Sequence, residues 1–182
     1  MERIRQQALL LGAYRAEIVK VNEITLDASF RALCESNACG NYGRNYMCPP
    51  DAGDIHVLME AIRGYDSAVI YQTVSSLEDS YDFEGMMEAG NKHNRLAQKL
   101  WDFTDETMGK DVLHLGAGGC RLCPSCNKVR GIACAHPDRA MASLETYGIN
   151  VSQLAQLAGM RYINGQDTVT YFGGVFVRNR QQ

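Results

Sequence analysis

The sequence predicts an α/β protein: a single-domain sandwich of about four strands over residues 1–182, carrying two cysteine-rich loops. Three observations predict it. Segments of helical periodicity alternate with short β-branched runs. The 182-residue chain is 46% hydrophobic and 21% charged, enough to bury roughly 70% of its unfolded surface in one core without cross-links. All seven cysteines fall in two stretches without such periodicity, Cys34–Cys48 and Cys120–Cys134.

Along the chain, Ile4, Ala8 and Leu11 form a helical stripe over 2–13 that ends near Gly12. Ala16–Val21 reads as a strand, and Asp27 as the N-cap of a helix through Phe30 and Leu33 that stops at Cys34. The first cysteine loop, Cys34–Pro50, is rich in Gly and Asn, residues suited to wrapping a compact object. Ile55, Leu58, Met59 and Ile62 predict a helix from about Ala52 to Arg63, closed by Gly64. Ser67–Val74 contains the best candidate for a central strand covered on both faces. A long helix follows within 82–108, then a short strand at Val112–Leu115 that runs through a GAGG turn into Cys120. Pro137 and Asp138 predict a helix closed by Gly148. Asn150 with Gln153 suggests a capping box for a short helix ending near Gly159, and Thr168–Val177 is a last strand broken by glycines.

Composition excludes several functions. A net charge of −3 gives no polyanion-binding surface, so nucleic acid is not an expected partner. The longest apolar runs, such as 8–13, fall far below the roughly 18 residues of a membrane span, and the mixed-charge start is a poor secretory leader. A cytoplasmic location is the expectation. An odd number of cysteines, clustered in a chain with ample core, argues for metal ligation over disulfides. All four prolines, Pro49, Pro50, Pro124 and Pro137, lie in or just beyond the cysteine segments, where they stiffen the loops.

The second segment has the spacing C-x2-C-x2-C-x7-C at Cys120, Cys123, Cys126 and Cys134. Three cysteines at x2 steps surround one compact object, which suits a [4Fe-4S] cubane better than the two separated pairs usual for zinc. The spacing shares its first two steps with the bacterial ferredoxin run and departs at the last. Arg121, Lys128, Arg130 and Arg139 against Asp138 make the segment basic, which would stabilise an anionic cluster. Upstream, Cys34, Cys39 and Cys48 supply three thiols. A second cluster there would have one iron without a cysteine, open to histidine, water or substrate. The alternative is zinc held by these three cysteines and one of His56, His93, His114 or His136. Of the histidines, His93 reads as a satisfied core residue, His56 as a surface helix residue, His114 as a strand residue and His136 as a donor beside Cys134.

Cys34-x4-Cys39-Gly-Asn-Tyr42-Gly43-x4-Cys48-Pro49-Pro50, the Cys120/Cys123/Cys126/Cys134 set and Ser143-Leu-Glu145-x-x-Gly148-Ile149 together resemble a family of predicted metal-binding proteins, small and cysteine-rich, found mainly in anaerobic bacteria and archaea. The resemblance covers roughly residues 30–151. It implies metal binding through the seven cysteines, lends no support to the histidines and carries no reaction. No nucleophile elbow, phosphate loop or HExxH is present. The resulting expectation is an iron–sulfur protein, with one or two [4Fe-4S] clusters, that transfers electrons to or from a redox partner protein. The other expectation is a zinc-stabilised binding or regulatory module.

Overall fold

The computed structural model describes residues 1–108 and 111–178. Its elements run α1 (Glu2–Leu10), β1 (Arg15–Lys20), α2 (Phe30–Glu35), α3 (Ile55–Arg63), β2 (Ser67–Ser76), α4 (Phe83–Met108), β3 (Val112–Leu115), α5 (Val151–Leu157) and β4 (Thr168–Val177). The strands form one four-stranded sheet, β1-β2-β4-β3, with antiparallel neighbours throughout. This is the α/β sandwich that the sequence predicts.

Strand β2 is central, as its apolar run suggests: Ala68 to Thr73 are all buried. On one face, Val69 and Tyr71 pack with Val175 and Val177 against Ile4 and Ala8 of α1 and Leu96, Ala97 and Leu100 of α4. On the other, Ala68, Ile70, Phe172 and Phe176 pack against Ile62 of α3 and Leu154 of α5. Each large side chain buried here contributes about 1.5–3 kcal/mol. No helix among the described residues is long and apolar enough to cross a membrane.

Capping side chains set the helix starts. The Asp54 carboxylate accepts from the N–H groups of His56 (2.9 Å) and Val57 (3.2 Å), so α3 begins at Ile55, three residues beyond the expected start. Asn150 Oδ1 accepts from Gln153 N at 3.1 Å and opens α5 as expected. Asp27 instead accepts from Ser29 N at 2.8 Å in a local turn, and Ser29 becomes the residue before α2.

The helix expected after Pro137 is absent. Met141, Ala142, Ser143 and Leu144 are buried consecutively, a pattern no amphipathic helix accommodates. They pass the end of β3, where Ser143 forms an isolated parallel bridge with Gly116, Gly116 N donates to Ala142 O and Leu144 N donates to Gly116 O. Only a 3-10 turn, Glu145–Tyr147, precedes Gly148.

A polar layer crosses the sheet face under α4. Tyr71 Oη bonds His114 Nε2 at 2.9 Å, Thr73 Oγ1 bonds His93 Nδ1 at 2.9 Å, and the Tyr71 and His93 rings stack with centroids 5.4 Å apart. Burial holds the His93 pKa down at about 4 and that of His114 at about 3. Both rings therefore stay neutral in the native state while the unfolded chain titrates near 6.5. As pH falls below 6.5 the unfolded state takes up protons that the native state refuses. Stability is complete above that pH and declines down to about 4 for His93 and about 3 for His114. The full drop is on the order of 3–5 kcal/mol per ring, larger for His114. Urea unfolding at pH 7.5 and pH 5 checks this: His114→Gln is expected to lessen the loss between the two.

Candidate metal centre

Two stretches, 25–44 and 117–140, contain no buried residue. Apart from half-buried Leu26, which packs against the core, hydrophobic burial contributes little to these segments, so their order rests largely on backbone and polar contacts. Both begin at the end of a regular element: Cys34 lies in the last turn of α2, and Cys120 follows β3 through the glycine turn. In the first loop Asn37 adopts a left-handed φ of 54°, and its side-chain oxygen accepts from Tyr42 N at 3.0 Å, turning the chain back toward Cys48.

The loops are clasped to each other. Buried Asn45 donates from Nδ2 to Cys120 O at 3.0 Å and accepts from Met47 N at 3.0 Å. Tyr46 Oη donates to Ile132 O at 2.9 Å, and Lys128 Nζ bridges to Asp51 at 2.5 Å while lying over the Tyr46 ring. Gly119 sits against Asn41 and Asn45, where a Cβ would come within 3.1 Å of Asn45 Nδ2. The sequence predicts two loops; their meeting is a product of the tertiary fold.

Cys48 lies where they meet. Burial pushes its thiol up to about 12, and Cys39, Cys34, Cys120 and Cys126 all act on it electrostatically. Burial also pushes Cys34 up, against the pull of Arg31. At Cys120 burial raises the thiol pKa, while amide N–H groups of Leu122 and Met141, donating to its sulfur, oppose the rise. Burial thus favours the protonated form of all three thiols.

Cys120, Cys123, Cys126 and Cys134 line a single cavity of about 20 Å³, walled on the far side by Tyr46 and Met47. His136 reaches the same cavity, as expected of a residue beside Cys134, and no carboxylate lines it. A donor set of thiols suits zinc, iron–sulfur clusters or Cu(I) and not calcium or magnesium. Among the described residues, no three His, Cys, Asp or Glu side chains converge on one point tightly enough to chelate a single ion. At the three-cysteine site, Arg31 spans one helical turn to Cys34. Its Nη1 donates to Gly53 O at 2.9 Å, and its buried Nε and Nη2 have no hydrogen-bond partner among the described residues. Two such donors fit a negatively charged thiolate centre.

The remaining histidines stand apart. His56 is exposed on α3, and His93 and His114 are bound into the polar layer. The basic excess of the second loop is partly neutralised: Lys128 pairs with Asp51 and Arg139 with Asp102 at 2.5 Å. Sequence reasoning missed Arg31, Asn45, Tyr46 and Glu145. The Glu145 carboxyl, raised by burial, acts electrostatically on Cys34. The helical spacing of Arg31 from Cys34, and the place of Glu145 in the Ser143–Ile149 motif, are the signals readable in the chain.

A family model described as predicted metal-binding protein (DUF2284) matches residues 17–177. No curated protein and no solved structure matches the chain.

Proposed function

We infer, because this chain belongs to the family of predicted metal-binding proteins (DUF2284), that its metal is iron in a [4Fe-4S] cluster held by Cys120, Cys123, Cys126 and Cys134, serving electron transfer in anaerobic metabolism. The observation that supports this reading is that all four of these cysteines line one cavity. A cubane takes one thiolate at each corner and so requires donors spaced around a core. When bound, such a cluster takes up and returns single electrons.

The chain's own residues do the tuning. Amides of Leu122 and Met141 donate to the Cys120 sulfur, which stabilises the more negative, reduced state. Asn45 and Tyr46 hold the second loop from the opposite side. Val129 and Ile132, 52% and 49% exposed, form an apolar rim where a redox partner protein would dock. Cys34, Cys39 and Cys48 would hold a second centre with one position free of cysteine, and Arg31 would donate to it.

One observation favours zinc as a second reading: a cavity of about 20 Å³ is room for one water-sized body. In that case the metal would staple the loops for a protein partner and carry no electrons. Anaerobic purification followed by iron, zinc and acid-labile sulfide analysis separates the two. A brown protein with iron and sulfide near four atoms each per cluster is the expected result. Stoichiometric zinc without sulfide would overturn it.

A further inference from the structure

Between the cysteine loops and α4 opens a cleft of about 760 Å³, within the roughly 300–1,000 Å³ of small-molecule sites. Each loop contributes one arginine to it, Arg44 from the first and Arg121 from the second. Neither makes an ion pair among the described residues. Arg121 donates to Asn91 Oδ1 at 3.3 Å and lies along α4 over Gly90, where a Cβ would come within 2.7 Å of its Nη1. That glycine gives the guanidinium its place in the cleft. Amides of Asn41 and Asn91 add donors, Met87 and Val129 add apolar surface, and no acid lines the walls. Two uncompensated guanidiniums facing one cleft, in a chain of net charge −3, call for an anionic ligand. The apolar surface beside them calls for a carbon skeleton.

We propose that this cleft binds a small organic dianion, a dicarboxylate or a phosphate ester, with Arg44 and Arg121 each holding one end of its charge. Cys120, Cys123 and Cys126 line the cleft as well as the small cavity, so the ligand lies against the metal centre. That adjacency rests on the metal reading above; the anion binding does not.

Anaerobic isothermal titration calorimetry of the purified protein with succinate, glycerol 3-phosphate and acetate tests it. At least one dianion is expected to bind ten-fold or more tightly than acetate, and which one binds identifies the source of the charge. Arg44→Gln and Arg121→Gln are each expected to weaken that binding at least ten-fold. Arg63→Gln, whose partner Glu60 lies on α3, is expected to leave it unchanged. Arg44 is exposed and its side chain makes no ion pair among the described residues, so its variant carries the test even if Arg121→Gln loses structure. Absence of binding by both dianions at millimolar concentration, equal binding of acetate, or affinity that survives Arg44→Gln overturns the proposal. Iron and sulfide analysis of the same samples reads the metal separately: dianion binding by a zinc protein would overturn the cluster and keep the cleft.

Discussion

On the ligation proposed above, replacing Cys126 by alanine is expected to empty the four-cysteine centre of metal and loosen residues 117–140 from the rest of the chain, while the sheet stays folded. The reason lies in where burial is found. The sheet and its helices are held by two hydrophobic clusters that include no residue of 117–140. That segment has a single 3-10 turn, Asn127–Arg130, and is tied to the rest of the chain by polar contacts at its surface: the clasp through Asn45 and Tyr46, the Lys128–Asp51 and Arg139–Asp102 pairs, and the bonds of Arg121 to α4. Structural zinc in a four-ligand site supplies on the order of 10–16 kcal/mol of apparent binding free energy, which shows how strongly such a centre can order a loop. Losing one thiolate should weaken metal binding a thousand-fold or more, about 4 kcal/mol. Metal content per chain is the direct measurement. Trypsin gives a second readout, since Arg130 is exposed in the segment and cleavage there should accelerate once the metal is lost. Cys39→Ala, at an exposed thiol of the other set, should leave the four-cysteine metal in place. Full metal retention by Cys126→Ala would show that Cys126 is not a ligand.

Local chemistry made much of the fold readable. The apolar run of β2 announced a strand buried on both faces, and Asn150 announced a helix start through a group that acts within three residues, whereas sequence reasoning missed the cap at Asp54 and placed the start of α3 three residues early. Cysteine spacing located both loops for the same reason, because ligands of one compact centre must be close along the chain. What the sequence hid depends on distant pairing. Asn45 reaches Cys120 across 75 positions, and Arg121 reaches Asn91 across 30, contacts that exist only once the strand order is set. The helix expected after Pro137 failed for a related reason. A proline, an acid and a closing glycine are local signals, and the demand of the core for four consecutive buried residues at 141–144 overrode them. The glycine break in the last strand was visible, but its purpose was not.

That purpose yields the second large effect: Gly173→Ala is expected to destabilise the protein by about 2–6 kcal/mol. Gly173 stands opposite Tyr71 in the β2–β4 register, and a Cβ there would enter the Tyr71 phenol ring at Cζ and Oη. The ring lies across β4 because Gly173 has no side chain, and in that position its hydroxyl meets His114 on β3 at 2.9 Å. It has nowhere to retreat, since Tyr71 is fully buried and its other side stacks on His93. Alanine therefore imposes overpacking of about 1–3 kcal/mol. Displacing the ring also strands the hydroxyl and the imidazole without partners, at about 1–3 kcal/mol. A double-mutant cycle with Tyr71→Leu isolates the steric part, because the shorter side chain withdraws from Gly173. Urea unfolding should show the double variant less destabilised than the sum of the two singles. Additive losses, or a Gly173→Ala variant within about 0.5 kcal/mol of the parent, would mean that the tyrosine does not occupy the space the glycine leaves.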